Sequence, residues 1–165
     1  MSCSNKRPGG KVGFPGLTVG LASDHGGFPL KERLVKLMKR WGVKVVDFGA
    51  HNLNSCDYPD LGLALVRAVL KGRCRYGILA CRSGIGFSIF ANRFRGIRAA
   101  LCYDRRAAEL SRRHNNANVL VLGGDFVKDG QVAGIVRAWL SADFEGGRHK
   151  RRLTKIERLS KQWAH

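Results

Sequence analysis

Acidic residues are scarce. Twelve Asp and Glu stand against 30 Lys and Arg, which gives a formal charge of +18 at pH 7 and a pI of about 10.6. Such a field attracts RNA, DNA, anionic membranes and small phosphorylated metabolites alike, so it selects no partner by itself. The basic residues run through the whole chain, with a dense stretch at "RHKRRLTKIERLSK". Long apolar runs are also missing. None approaches the roughly 20 residues of a membrane helix. The opening stretch, "MSCSNKRPGGKVGFPG", lacks the apolar centre of a secretory signal, and its Pro and Gly argue against an amphipathic transit helix. It reads as a flexible extension over residues 1–16, and a cytoplasmic location is the expectation. Cysteines are few and odd in number, at positions 3, 56, 74, 81 and 102, with no C-x-x-C pair. That argues against a disulfide framework or a zinc ribbon and leaves each thiol to be judged alone. Most buried cysteines are inert.

Several nucleotide and nucleic-acid signatures are absent as well. There is no P-loop and no full G-x-G-x-x-G; "GIGFSIF" follows the third apolar run rather than the first. No RNP-type motif or zinc-finger spacing is present, and the 8% of aromatic residues are not interleaved with the basic run. A nucleic-acid partner is therefore not expected. No repeat, low-complexity segment or linker divides the chain.

The chain alternates short apolar runs with amphipathic stretches. The runs are "LTVGLA" (17–22), "VKVVDFG" (43–49), "RYGILAC" (75–81), "IRAALCY" (97–103) and "ANVLVLGG" (117–124). The first stretch between them places Leu30, Leu34, Leu37, Met38 and Trp41 on one helical face, with Lys and Arg opposite. Pro29 suits its first turn and Gly42 its stop. Pro59 opens a second helix to about Lys71. A third runs to about Arg95, a fourth spans "RRAAELSRRH", and a fifth runs from about Gln131 to Ala142. A basic amphipathic helix ends the chain. Strand–helix alternation with near-continuous apolar strands predicts an α/β fold, a five-stranded parallel sheet covered on both faces, in one domain over 17–165.

Ligands of such sheets bind beyond the carboxyl ends of the strands. Those ends carry "SDHGG", "GAHNLNSCDYP", "CRSGIG", "YDRR" and "GGDF", so Asp24, His25, Tyr58, Cys81 and Ser83 collect at one edge. Cys81 ends an apolar strand, and Ser83, Gly84 and Gly86 turn the chain into a helix. Free N–H groups at a helix start lower a thiol pKa and can hold an oxyanion. Cys81 is thus a candidate nucleophile or general base, set against the alternative of an ordinary core cysteine. Asp24-His25 alone reads as a cap as readily as a catalytic pair. His114, in "SRRHNNAN", reads equally as a helix end cap.

Taken in order, "SDHGGFPLKE", "VVDFG", "DYPD", "GILACRSGIGFSIFANR", "GIRAALCYD", "SRRHNNANVLVLGG" and "FEGGRHKRR" resemble the ribose-5-phosphate isomerase B family, which includes the galactose-6-phosphate isomerase subunits. The resemblance spans Leu17 to about Arg152. It implies a Rossmann-like three-layer α/β/α fold and an aldose–ketose isomerase acting through a cis-enediolate, with no metal and no cofactor. It implies dimers, sometimes paired into tetramers, that share active sites between subunits. On the matching positions Cys81 is the base that removes the C2 proton and returns it at C1. The family's other branch uses a carboxylate further along the turn, where this chain has Phe87 and Ser88. Ser83, in place of the usual Thr, would stabilise the enediolate together with the backbone of Gly84, Ile85 and Gly86. His114 matches the acid–base that opens the sugar ring, with Asp24 as partner on the ring-oxygen side. Tyr58 and Asn115 match substrate contacts, and His25, Arg148 and Arg152 match the phosphate positions.

Arg82 departs from the family, which has glycine there. A positive φ at this position would strain an arginine; a negative φ would leave the turn intact and add a cation beside the substrate. Tyr103 and Asn116 replace the usual His and Asp. The expected substrate pair is ribose 5-phosphate and ribulose 5-phosphate. The alternatives are a six-carbon sugar phosphate such as galactose 6-phosphate or allose 6-phosphate, a basic nucleic-acid-binding module, or an isomerase-like fold without activity.

Overall fold

The structure is a computed structural model that describes residues 13–162. Eleven elements follow one another: β1 (Thr18–Ser23), α1 (Phe28–Arg40), β2 (Lys44–Asp47), α2 (Tyr58–Leu70), β3 (Tyr76–Cys81), α3 (Ile85–Ala91), β4 (Ala99–Leu101), α4 (Arg105–Asn115), β5 (Val119–Gly123), α5 (Asp129–Ser141) and α6 (Gly147–Gln162). The five strands form one parallel sheet in the order β2-β1-β3-β5-β4. This is the expected three-layer Rossmann-like architecture. The three inner strands are almost wholly buried, and the two outer ones are half-exposed. Burial on both faces requires side chains that are apolar at every position, which is why the inner strands read as unbroken apolar runs.

Side chains alternate between two cores because successive residues of a strand point to opposite faces. Leu21, Ile78, Ala80, Leu120 and Leu122 meet Leu30, Leu34 and Met38 of α1 and Ile135, Val136 and Trp139 of α5. Ala22, Leu79, Cys81, Val119 and Val121 face the other way, against Leu65 and Val66 of α2 and Phe87 and Ala91 of α3. Each large buried side chain contributes about 1.5–3 kcal/mol. The helix after β1 therefore covers one face, and the helix after β3 covers the other. Their strands are neighbours, so the crevice where an open sheet takes ligands lies between the ends of β1 and β3.

Two expectations need correction. Lys31 does not lie on the polar face of α1. It is 1% exposed and pairs with Glu32 at 2.9 Å and with Asp47, tying α1 to the end of β2. The third helix stops at Ala91 rather than Arg95. The Asn92 amide donates to Ser88 O and Ala99 O and accepts from Ala99 N–H, which turns the chain into β4. β4 is accordingly only three residues long. Of the extension expected over 1–16, residues 1–12 lie outside the described residues; Phe14 donates its N–H to Trp41 O at 2.7 Å and packs on that indole. No described helix is long and apolar enough to cross a membrane.

Candidate active site

Cys81 is the last residue of β3, flanked by β1 and β5, and is 7% exposed. Gly84 turns the chain sharply with φ +83°, a conformation that favours glycine. That turn aims its N–H at the Cys81 sulfur at 3.0 Å. The N–H groups of Phe87 and Ser83 also favour the thiolate. Burial outweighs them, and the Asp24 carboxylate adds to it, so the thiol pKa lies above its ordinary value. The N–H groups alone predict a lowered thiol; the net direction is upward because the strand end is dry. Cys74 and Cys102 are buried and raised by the same cause, Cys102 to about 11.

The surrounding loops line this thiol. Asp24 accepts from the Gly27 N–H at 2.7 Å, a hydrogen bond that shapes the turn between β1 and α1. His25 Nδ1 accepts the Cys56 N–H at 3.4 Å. Tyr58 begins α2 and meets Phe87 edge-on at 5.2 Å. Gly86 lets that ring approach, because a Cβ there would sit 3.0 Å from Tyr58 Cζ. Ser83 Oγ accepts the Ile85 N–H at 3.2 Å, so its own proton is free for a ligand. Among the described non-glycine residues only Asn116 has positive φ, so Arg82 sits in an unstrained turn. Its stem lies against Gly26, and its Nε donates to Asp125 at 3.0 Å on the rim.

His114, Asn115, Arg148 and Arg152 are not part of this cluster. α4 leaves the carboxyl edge of the sheet at Asp104 and returns to the start of β5, so its eleven residues carry His114 roughly 16 Å back toward the opposite edge. There His114 stacks on His149 of α6 with rings 4.2 Å apart and 5° from parallel. Both Nε2 atoms lie 3.6 Å from Glu145 Oε2. Arg113 holds the other carboxylate oxygen at 2.6 Å and keeps the Glu145 pKa below its ordinary value. Arg148 and Arg152 sit on the first turns of α6, one helical turn apart. Burial, then His114 and these two arginines, lower the His149 pKa. Asn115 lines a groove of about 740 Å³ between the end of α3, β4 and α6, away from Cys81. The donors of His114, Glu145 and His149 lie within 4.8 Å of one another. Parallel rings send their lone pairs side by side rather than to one point, so the trio is a poor cage for a metal ion.

Sequence reasoning missed four residues here. Asp125 pairs with Arg82, and Cys56 orients His25. Glu145 and His149 sit inside "FEGGRHKRR", and a histidine between Arg148 and Lys150 was the available signal. Tyr103, which replaces the usual His, donates its hydroxyl to Ser83 O at 3.1 Å and packs on Phe126.

Comparison with known proteins gives a consistent result. The sequence model of the Ribose/Galactose Isomerase family matches residues 19–156. Ribose-5-phosphate isomerase B of Escherichia coli K12 is 40% identical over 144 residues, 87% of this chain and 97% of that protein. The solved structure of Clostridium thermocellum ribose-5-phosphate isomerase B aligns with a TM-score of 0.87 at 44% identity, covering 90% of this chain and all of that one. The enzyme of Mycoplasma genitalium, solved with bound ribulose-5-phosphate, aligns with a TM-score of 0.85 at 39% identity, covering 90% and 99%.

Proposed function

Because the chain belongs to the ribose/galactose isomerase family, we propose that it interconverts ribose 5-phosphate and ribulose 5-phosphate. The observation that carries the reading is the Cys81 thiol, buried at a strand end, hydrogen-bonded by Gly84 N–H and facing Asp24. In the reaction His114 and Asp24 move the protons that open the ring. The Cys81 thiolate then takes the C2 proton, the C1 carbonyl oxygen takes up the negative charge, and the cis-enediolate forms. The thiol returns a proton to C1 as the C2 hydroxyl passes its proton to the C1 oxygen and becomes the ketone. The Ser83 hydroxyl and the backbone of Gly84, Ile85 and Gly86 hold the developing charge. Tyr58, Asn115 and Arg82 contact the sugar, and His25, Arg148 and Arg152 take the phosphate, where arginine forks suit a dianion.

His114 and Cys81 occupy opposite edges of one chain's sheet, so this chemistry needs a second copy. A homodimer, alone or paired into a tetramer, brings the α4–α6 edge of one protomer to the β1–β3 edge of its partner. The free thiols among the described residues suit a reducing cytoplasm.

The test follows ribulose 5-phosphate formation from ribose 5-phosphate without added metal. The parent turns over, and Cys81→Ala loses about a hundredfold or more. A folded parent inactive on ribose 5-phosphate but active on a six-carbon sugar phosphate would move the substrate. Mixing Cys81→Ala with His114→Gln tests the shared site. In a two-fold dimer half the molecules are mixed and each rebuilds one intact site, so about a quarter of the parent rate returns. No recovery after subunit exchange would place both groups in one chain.

A further inference from the structure

We propose that Glu145 and His149 are positioning residues for His114: the carboxylate fixes its Nε2 as the proton-bearing nitrogen, and Nδ1 is left to exchange the ring-opening proton. The proposal rests on the reading that His114 opens the sugar ring.

Glu145 is held at both ends. Its N–H donates to Arg113 O at 3.0 Å, and its Oε1 accepts from the Arg113 guanidinium. Arg113 is itself braced by Glu109 at 3.0 Å. The carboxylate cannot swing away, so Oε2 stays facing the two imidazoles, 3.6 Å from each Nε2. A fixed carboxylate beside an imidazole selects the tautomer that points N–H toward it. His149 supplies the flat wall. It is buried, while His114 is one-third exposed, so the outer ring is the one that meets substrate. Burial, followed by His114 and by Arg148 and Arg152 on its own helix, lowers the His149 pKa.

The experiment separates ring opening from enolisation. Ribose 5-phosphate is mostly a closed ring. Ribulose 5-phosphate is an open chain, because the oxygen that would close a furanose carries the phosphate. Deuterium uptake at its C1 from D2O needs the Cys81 base and no ring opening. Glu145→Gln should slow conversion of ribose 5-phosphate about tenfold or more while exchange stays within roughly twofold. His149→Ala should show the same split, and His149→Phe, which keeps a flat ring, should recover most of the rate. If both readouts fall together the residues are merely structural, and if neither falls they do nothing for His114; either result overturns the proposal. A parent that neither exchanges nor converts ribose 5-phosphate would overturn the isomerase reading itself, and the proposal with it.

Discussion

If Cys81 is the base, the rate must follow the ionisation of a buried thiol. Its pKa lies above the ordinary 9.0 because burial, followed by the Asp24 charge, outweighs the N–H groups of Gly84, Phe87 and Ser83. At pH 7 a group with a pKa of 9 or more is at most about 1% ionised, and each pH unit below the pKa changes that fraction about tenfold. The value of kcat/KM reports groups of the free enzyme, so it should climb about a hundredfold between pH 7 and pH 9. The substrate phosphate titrates below this window and does not contribute. The assay is initial-rate kinetics in a series of buffers at constant ionic strength. Iodoacetamide alkylation of Cys81, read by mass spectrometry, runs beside it and needs no turnover. Asp24→Asn should move the alkylation profile to lower pH by removing a charge that disfavours the thiolate. Profiles for rate and alkylation that are both level from pH 7 upward would refute the reasoning, because the N–H groups would then outweigh burial.

The other predictions rest on separate features. Cys102 is 2% exposed, with a folded pKa raised to about 11 from 9.0. Its share of stability is complete below pH 9 and lost as pH rises toward 11, a fall of about 2–3 kcal/mol that Cys102→Ala should remove in urea unfolding. Gly86→Ala puts a methyl 3.0 Å from Tyr58 Cζ; it should cost about 1–3 kcal/mol of stability and raise KM as the ring is displaced. Arg82→Gly breaks an exposed pair with Asp125, so unfolding should change by less than about 1 kcal/mol. The KM for ribose 5-phosphate should rise severalfold, and an unchanged KM would remove Arg82 from the substrate.

The fold was legible because buried parallel strands leave no choice of residue type. β1, β3 and β5 are apolar at nearly every position, and the glycine turns after β1 and β3 mark where ligands approach. Element ends were less legible where a side chain decides them. Asn92 stops α3 through hydrogen bonds to Ala99, seven residues ahead, which no periodicity reveals. Lys31 was misplaced because its partner Asp47 lies sixteen residues away on another strand. The Arg82–Asp125 pair spans 43 residues. Cys81, Asp24 and Ser83 were readable because each sits at a strand end. His114 was readable only through the resemblance, since in its own segment it could equally be a helix cap.

The bulk charge, which selects no partner by itself, separates into different uses. Arg112 is buried and donates to Tyr76 OH and Ala117 O at 2.7 Å each, with its guanidinium 4.5 Å from the Tyr76 ring. Lys31 is buried against Asp47. Both are structural, and neither reaches an anion outside the protein. Arg113 is committed to Glu109 and Glu145, and Arg82 to Asp125. Among the described residues Arg148 and Arg152 have no such carboxylate partner, and they lie on the first turns of the helix that carries His149. Under the proposed function, these two guanidiniums, one turn apart and remote from the thiol edge of their own chain, would grip the phosphate end of a substrate whose C1 and C2 lie over the Cys81 of a second copy. A phosphorylated sugar would then bridge two protomers. A polyanion lying along α6 would instead favour every basic residue of the helix equally. Neutralising Arg148 and Arg152 should therefore raise the KM for the sugar phosphate far more than neutralising Lys155 and Arg158, and equal effects would count against the bridging arrangement.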